Sequence, residues 1–214
     1  MQTSNTSKHR LLPLLAAFFM LTACSGGSSN PTLPSPDSPF QILQSGDLLF
    51  VSDTSGMGQA VKESTGQYTH VALVERCSDT VFIIDATQRH GVARRPIDST
   101  FASHMPVDVY RLATPFDTAD VIARANALVG LPYDDAFRSG NDAYYCSELV
   151  YECYRNKKGA PLFEERPMNW LDADGNLPDY WREHFERLGI PVPQGEPGTN
   201  PTDLSMMLVR VAAL

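Results

Sequence analysis

The sequence predicts an α+β fold, and three observations carry that expectation. Short apolar runs rich in β-branched residues occupy positions 46–112. Amphipathic helical patterns follow from Asp117 onward. A last apolar run, Met206 to Ala213, reads as a strand after the helices. Strands, then helices, then one late strand is α+β ordering.

The elements follow in order. Gly46-Asp47-Leu48-Leu49-Phe50-Val51 opens on a turn signal and continues as a strand. Met57 to Ser64 has the pattern of a short helix, ended by Thr65-Gly66. His70 to Val74 and Thr80 to Ala86 are strands, with Ser78-Asp79 as a tight turn between them. Gly91 to Ile97 and Val107 to Leu112 are two more strands. Asp117 caps a helix running to Val129, whose apolar side carries Val121, Ile122, Ala125, Leu128 and Val129. Gly130-Leu131-Pro132 stops it. The run Asn141 to Tyr151 begins a second helix, with the stripe Cys146, Leu149, Val150, Cys153 and Tyr154 facing the core. A Pro/Gly-rich stretch from Pro161 to Pro201 holds one short helix at Tyr180 to Leu188. There is no internal repeat.

The N-terminus lies outside this domain. Lys8, His9 and Arg10 precede an apolar core, Leu11 to Leu21, and then Leu21-Thr22-Ala23-Cys24. That pattern is a secretory signal, too short for a comfortable transmembrane helix. It resembles a bacterial lipobox, which implies cleavage before Cys24 and lipidation of its thiol. A plain signal peptide or an uncleaved anchor is the alternative. Ser25, in place of Asp, points to the outer membrane, facing the periplasm. The expected organisation is a signal peptide at 1–23, a Ser/Gly/Pro tether at 24–40 and a catalytic domain at 41–214. The formal net charge is −8, and loss of Lys8 and Arg10 makes the mature chain more acidic. With no basic block, nucleic acid is not an expected partner, nor is an anionic membrane surface; membrane attachment would come from the lipid.

Cysteine usage narrows the chemistry. With Cys24 lipidated, Cys77, Cys146 and Cys153 remain, an odd number in an exported protein. Cys146 and Cys153 lie about 10 Å apart along one helix. A disulfide needs Cα atoms within roughly 7 Å, so these two do not bridge. A Cys77–Cys153 bridge is open to the chain; the preferred reading makes both small buried apolar residues.

A thiol in the first turn of a helix is favoured as thiolate by the partial positive charge there. Thiol catalysis also needs a base and a group to orient it. His70 opens a strand. If Ser78-Asp79 is the turn, Ala72 faces Asp85, and Asp85 shares a face with His70. His9, His90, His104 and His184 compete as bases. His9 leaves with the signal, His90 and His104 sit in loops, and His184 reads as solvated in a polar helix. Inert roles are the alternative for all three candidates. Asp172-Ala173-Asp174-Gly175-Asn176 is a solvated turn and not a calcium loop, because its glycine comes two positions early and no downstream Glu fits. No zinc spacing or phosphate loop is present, so no metal or cofactor is expected.

The ordered set Gly46-Asp47-Leu48-Leu49-Phe50, Thr69-His70-Val71-Ala72-Leu73-Val74, Ile84-Asp85-Ala86, Gly130-Leu131-Pro132-Tyr133-Asp134 and Tyr145-Cys146-Ser147-Glu148-Leu149-Val150 resembles the YiiX/YaeF-like permuted papain-fold family, a branch of the NlpC/P60 superfamily. The tail Gly195 to Ser205 is similar to that family's C-terminal segment, and the likeness spans about residues 44–208. It implies an antiparallel sheet or small barrel packed against a helix that carries the nucleophile. It implies a cysteine amidase or peptidase in which Cys146 attacks, His70 moves the proton and Asp85 orients the ring. Most members carry Glu where this chain has Asp85, one methylene shorter. Tyr133 and Tyr145 fall beside the implied cleft as substrate contacts, with packing as their other role. The substrate implied is a cell-wall peptide or a lipid–amino acid conjugate. An acyltransferase on the same scaffold and a non-catalytic binding lipoprotein are the rival functions.

Overall fold

The computed structural model describes residues 39–54, 56–99 and 106–214. The expected signal peptide, Cys24, most of the tether, His9 and His104 lie outside the described residues. All the described residues belong to one compact unit, Pro31–Leu214.

A six-stranded antiparallel sheet organises this unit. Its strands are β1 (Asp47–Val51), β2 (His70–Cys77), β3 (Thr80–Thr87), β4 (Gly91–Pro96), β5 (Val107–Arg111) and the terminal β8 (Val209–Ala213), in the order β4-β3-β2-β1-β5-β8. The sheet is open, with β4 and β8 at its edges, so the antiparallel sheet is realised and the barrel is not. The middle strands carry apolar residues on both faces because both faces are covered. Leu48, Phe50, Val71, Leu73 and Ile84 meet the helices on one side. Leu49, Val51, Ala72, Val74 and Ile83 form a second layer on the other, packed with Leu43 and Ile97.

The helices are α1 (Met57–Thr65), α2 (Thr118–Leu128), α3 (Cys146–Cys153), α4 (Asp179–Leu188) and α5 (Pro201–Met206). A two-stranded ribbon of β6 (Arg166–Pro167) and β7 (Pro197–Gly198) ties the Pro-rich segment together. Asp117 caps α2, its carboxylate accepting the Asp120 N–H at 3.1 Å. Leu149, Val150, Cys153 and Tyr154 anchor α3, all buried. Each such aliphatic side chain contributes about 1.5–3 kcal/mol. The Tyr154 hydroxyl donates to the Gly46 carbonyl at 2.7 Å, locking the end of α3 to the start of β1.

Three expectations are corrected. The terminal strand does not begin at Met206: residues 201–206 are α5, because Asn200 accepts the Asp203 N–H at 2.8 Å and Pro201 suits the first helical turn. His184 is not solvated. It is 2 % exposed, its Nε2 lies 2.7 Å from the Asp135 carbonyl, and aromatic rings surround it. Cys153 is a free buried thiol, which rules out the Cys77–Cys153 bridge, while Cys77 is half-buried at the end of β2.

Candidate active site

The β2–β3 hairpin sets the first pair. Cys77 pairs with Thr80 across the Ser78-Asp79 turn, and Leu73 pairs with Ile84. Ala72 therefore lies opposite Asp85, and His70 lies diagonal to it on the same face. The contact forms: His70 Nε2 is 2.9 Å from Asp85 Oδ2. Asp85 is 2 % exposed and the His70 side chain 24 %.

α3 starts at Cys146, with Tyr145 as its extended N-cap. The Tyr145 N–H donates to the Glu148 carboxyl at 3.4 Å. Upstream, Tyr144 N–H donates to the Pro132 carbonyl at 3.1 Å and Asp134 N–H to the Tyr144 carbonyl at 3.3 Å. These bonds bring Tyr133 alongside the helix start. The Cys146 thiol is near enough to the His70 ring to raise its pKa. With Nε2 held by Asp85, Nδ1 is the ring nitrogen left to serve the sulfur. Cys146, His70 and Asp85 thus meet at one site.

The electrostatics follow from that grouping. Burial disfavours charge on His70, but hydrogen bonds and charge from Asp85 and Cys146 raise its pKa to about 10. The ring is imidazolium at neutral pH, with both nitrogens donating. Burial alone would raise the Asp85 pKa; His70 and Arg95 instead hold it below the ordinary carboxylate value. Burial, then the nearby Cys146, pushes the Tyr133 phenol up.

The sequence reading did not single out Arg95. Its Nη2 donates to Asp85 Oδ1 at 2.6 Å, so both carboxylate oxygens are engaged. Arg95 pairs with Ile83 across β3–β4 and so shares the face of Asp85. Glu148, buried in the first turn of α3, was also passed over. Burial, then the nearby Asp134, pushes its pKa up to about 8.

Cys146 and His70 open onto a cavity of about 170 Å³ that Tyr133 and Tyr145 also line. Tyr145 is a core residue as well: its ring packs 5.3 Å from Phe137 and its hydroxyl accepts the Thr199 N–H at 3.2 Å. Other lining residues come from far along the chain, among them Met57, Met168, Trp170 and Thr199. The tail that carries Thr199 could be placed from sequence only by resemblance.

Comparison with known proteins agrees with this geometry. The chain shows 29 % identity over 115 residues to Protein OPG091 of vaccinia virus, covering 52 % of this chain and 64 % of that protein. It thus spans just under two thirds of the length of the poxvirus relatives it matches. It is 23 % identical over 165 residues to the uncharacterized protein YiiX of Escherichia coli K12, covering 74 % of this chain and 79 % of YiiX. The crystal structure of yiiX from Escherichia coli O157:H7 superposes with a TM-score of 0.65 at 24 % identity, over 79 % of this chain and 96 % of that one. That protein is described as a metalloprotein. Among the described residues here, no three His, Cys, Asp or Glu side chains converge as a metal-binding set. Residues 42–206 match the model of the permuted papain-like amidases, YaeF/YiiX, C92, and the chain belongs to this family.

Proposed function

We propose that the protein is a cysteine amidase that cleaves an amide through an acyl-enzyme, with Cys146, His70 and Asp85 as its triad. The observation that carries this reading is that Cys146 at the start of α3 and His70, which Asp85 contacts at 2.9 Å, open together on one cavity. The Cys146 sulfur attacks the carbonyl carbon, and the Cys146 N–H at the helix start donates to the developing oxyanion. The C–N bond breaks as His70 delivers its proton to the nitrogen, and the amine leaves. Water then adds to the thioester, with His70 taking its proton. The acid departs and the thiol is restored. Asp85 holds the ring in place and balances its charge through the cycle.

Replacing Cys146 with Ala is expected to abolish turnover of an N-acyl amide and leave the circular dichroism spectrum and cooperative melting intact. Full turnover in that variant would overturn the reading. The same proposal places the enzyme on the periplasmic face of the outer membrane through a lipid on Cys24, on the strength of the run Leu21-Thr22-Ala23-Cys24. Radiolabelled palmitate should enter the wild-type chain and not Cys24→Ser; equal labelling of both would refute the anchor.

A further inference from the structure

Two acidic side chains are buried beside the start of α3 and take no part in the triad. Glu148 is 3 % exposed and Asp134 2 %. Neither is among the residues that line the cavity. The backbone bonds of Tyr144 with Pro132 and Asp134 lay residues 132–134 alongside the first turn of α3, and so bring the two carboxyls to one place.

Their bonding differs. Asp134 accepts with both oxygens: Oδ1 from the Ala136 N–H at 2.9 Å and Oδ2 from the Arg138 N–H at 2.6 Å. That is the bonding of a carboxylate. Glu148 accepts one long bond, 3.4 Å from the Tyr145 N–H, and so caps the turn that begins with Cys146. Two buried carboxyls that feel each other's charge do not both ionise, and the proton goes to the one less well bonded as an anion. That one is Glu148.

The surroundings agree. Glu148 feels negative charge from Asp134 in the loop and from Glu152 one turn along α3. The Ser139 hydroxyl favours its ionised form, but it also donates to Glu165 at 3.3 Å. Tyr144 and Asp142 are the titratable groups on the remaining side. The near cations are engaged elsewhere: Arg138 reaches Glu196 at 3.6 Å, and Arg155 pairs with Glu152. Burial, then Asp134, pushes Glu148 up to about 8.

We infer that Glu148 is a positioning residue for Cys146: as a neutral acid it shares one proton with Asp134, and the pair clasps the first turn of α3 to the 133–138 loop. The inference rests on the amidase reading above in taking Cys146 as the nucleophile. The clasped turn carries both the sulfur and the Cys146 N–H that meets the oxyanion. A charged Glu148 would be repelled by Asp134, and would set negative charge in a turn whose positive end faces the sulfur. A pH dependence follows. Opening the turn returns Glu148 to its ordinary value of 4.5, so opening releases a proton between 4.5 and about 8. The opening constant therefore rises about tenfold per pH unit across most of that window and levels off above it.

The first test needs no substrate. It is amide hydrogen exchange of the full chain, corrected for the intrinsic rate, at Tyr145 and at Leu149, whose N–H closes the first turn on the Tyr145 carbonyl. Protection of both in the wild type should fall about twentyfold from about pH 5 to about 6.5, below the window in which His70 loses its proton. Glu148→Gln keeps the shape and the cap without the proton, and its protection should change less than about threefold. Equal slopes in the two proteins would overturn the inference. Carbon NMR of the Glu148 carboxyl should give a midpoint near 8, and Asp134→Asn should lower it by at least about 1. A wild-type midpoint near 4.5, or one that Asp134→Asn leaves in place, would sink the pair. With p-nitroacetanilide as the probe, wild-type kcat should fall through about pH 8 while KM holds, and Glu148→Gln should lack that step. Glu148→Ala, which loses the cap, should lose at least about tenfold in kcat at every pH, and Glu148→Gln should recover most of it at neutral pH. The same step in Glu148→Gln would count against the clasp. Absence of a Cys146 thioester by intact mass would sink the amidase reading, and the exchange and carboxyl titrations would still decide the clasp.

Discussion

Replacing Asp85 with Asn tests the site at its electrostatic centre. The side chain keeps its shape and loses its charge. In the native protein the His70 pKa stands at about 10 against an ordinary 6.5, equivalent to about 5 kcal/mol of preference for the imidazolium. Burial works against that preference, so Asp85 and Cys146 together supply more than the net amount. One close opposite charge typically moves a pKa by about 1–3, so Asp85→Asn should bring His70 to between about 7 and 9. Arg95 adds to the fall, because it loses its own partner at 2.6 Å and leaves a bare positive charge beside the ring. The assay is an NMR titration of the His70 ring in the labelled protein, from pH 5 to 11. Stability gives a second reading. A raised histidine pKa contributes stability fully below 6.5, and that stability is lost as pH rises through about 10. The wild-type melting temperature should therefore decline across that window, and Asp85→Asn should flatten the decline. Asp85→Glu, which keeps the charge, should restore it. A His70 pKa that stays near 10 in Asp85→Asn would refute the argument, since Cys146 alone would then hold the charge.

Arg95→Gln should raise the Asp85 pKa, because one of its two cationic partners is gone. Stability carried by a depressed carboxylate pKa is present above the usual value of about 3.8 and is lost as pH falls through the folded one, so acid unfolding should begin at higher pH; an unchanged acid midpoint would count against the pairing. Iodoacetamide at neutral pH should alkylate Cys146 and spare Cys153, which is fully buried with its pKa pushed up to about 12, and peptide mapping separates the two. Gly198→Ala should cost about 1–3 kcal/mol in chemical denaturation and reduce turnover, because a Cβ there would stand 2.5 Å from Met168 Sδ and 3.0 Å from the Tyr145 hydroxyl, forcing both toward the cavity. Wild-type stability and turnover in that variant would show that Met168 swings clear.

The hairpin half of the site was legible because strand geometry is arithmetic. One turn, Ser78-Asp79, sets the β2–β3 register, and the register alone puts Asp85 diagonal to His70. The same arithmetic reaches Arg95 once Thr87 is paired with Gly91, since Asp85 then faces Ala93 and Arg95 is the next residue on that face. The start of α3 at Cys146 was legible from its apolar stripe. What the sequence did not reveal is built from distant segments. Met57, Phe137, Trp170 and Trp181 meet across more than a hundred positions, and no local periodicity encodes that meeting. His184 belongs to the same group: in sequence it sits among charged residues, yet Trp181 and Phe185 on the same helix turn its face inward. α5 was hidden because Pro201 to Met206 is short and mostly polar, with no apolar stripe to mark a helix. Asn200-Pro201 is a capping signal that decides for the helix.

The chain order of these parts separates chemistry from recognition. His70 and Asp85 stand on strands in the middle of the sheet, where pairing on both sides and apolar layers on both faces hold the backbone. Cys146 stands on a helix whose far end is bonded to β1 through Tyr154. All three therefore take their positions from the sheet, and a proton relay requires such fixed spacing. The apolar wall of the cavity, formed by Met57, Val61, Phe137, Met168, Trp170 and Trp181, has other origins. Apart from α1 it comes from the 133–137 loop, the 168–170 segment and α4, joined mainly by ring packing and side chain–backbone bonds. Phe137 sits there with a left-handed φ of 54°, a costly backbone for an aromatic residue, held by Asp134 accepting the Ala136 and Arg138 N–H groups. Substitutions in this wall change what fills the cavity without moving the sheet. It follows that exchanging Val61 or Met168 should change which amides are turned over while the His70 titration stays where Asp85 sets it. A shift in that titration would mean that the wall and the relay are mechanically one.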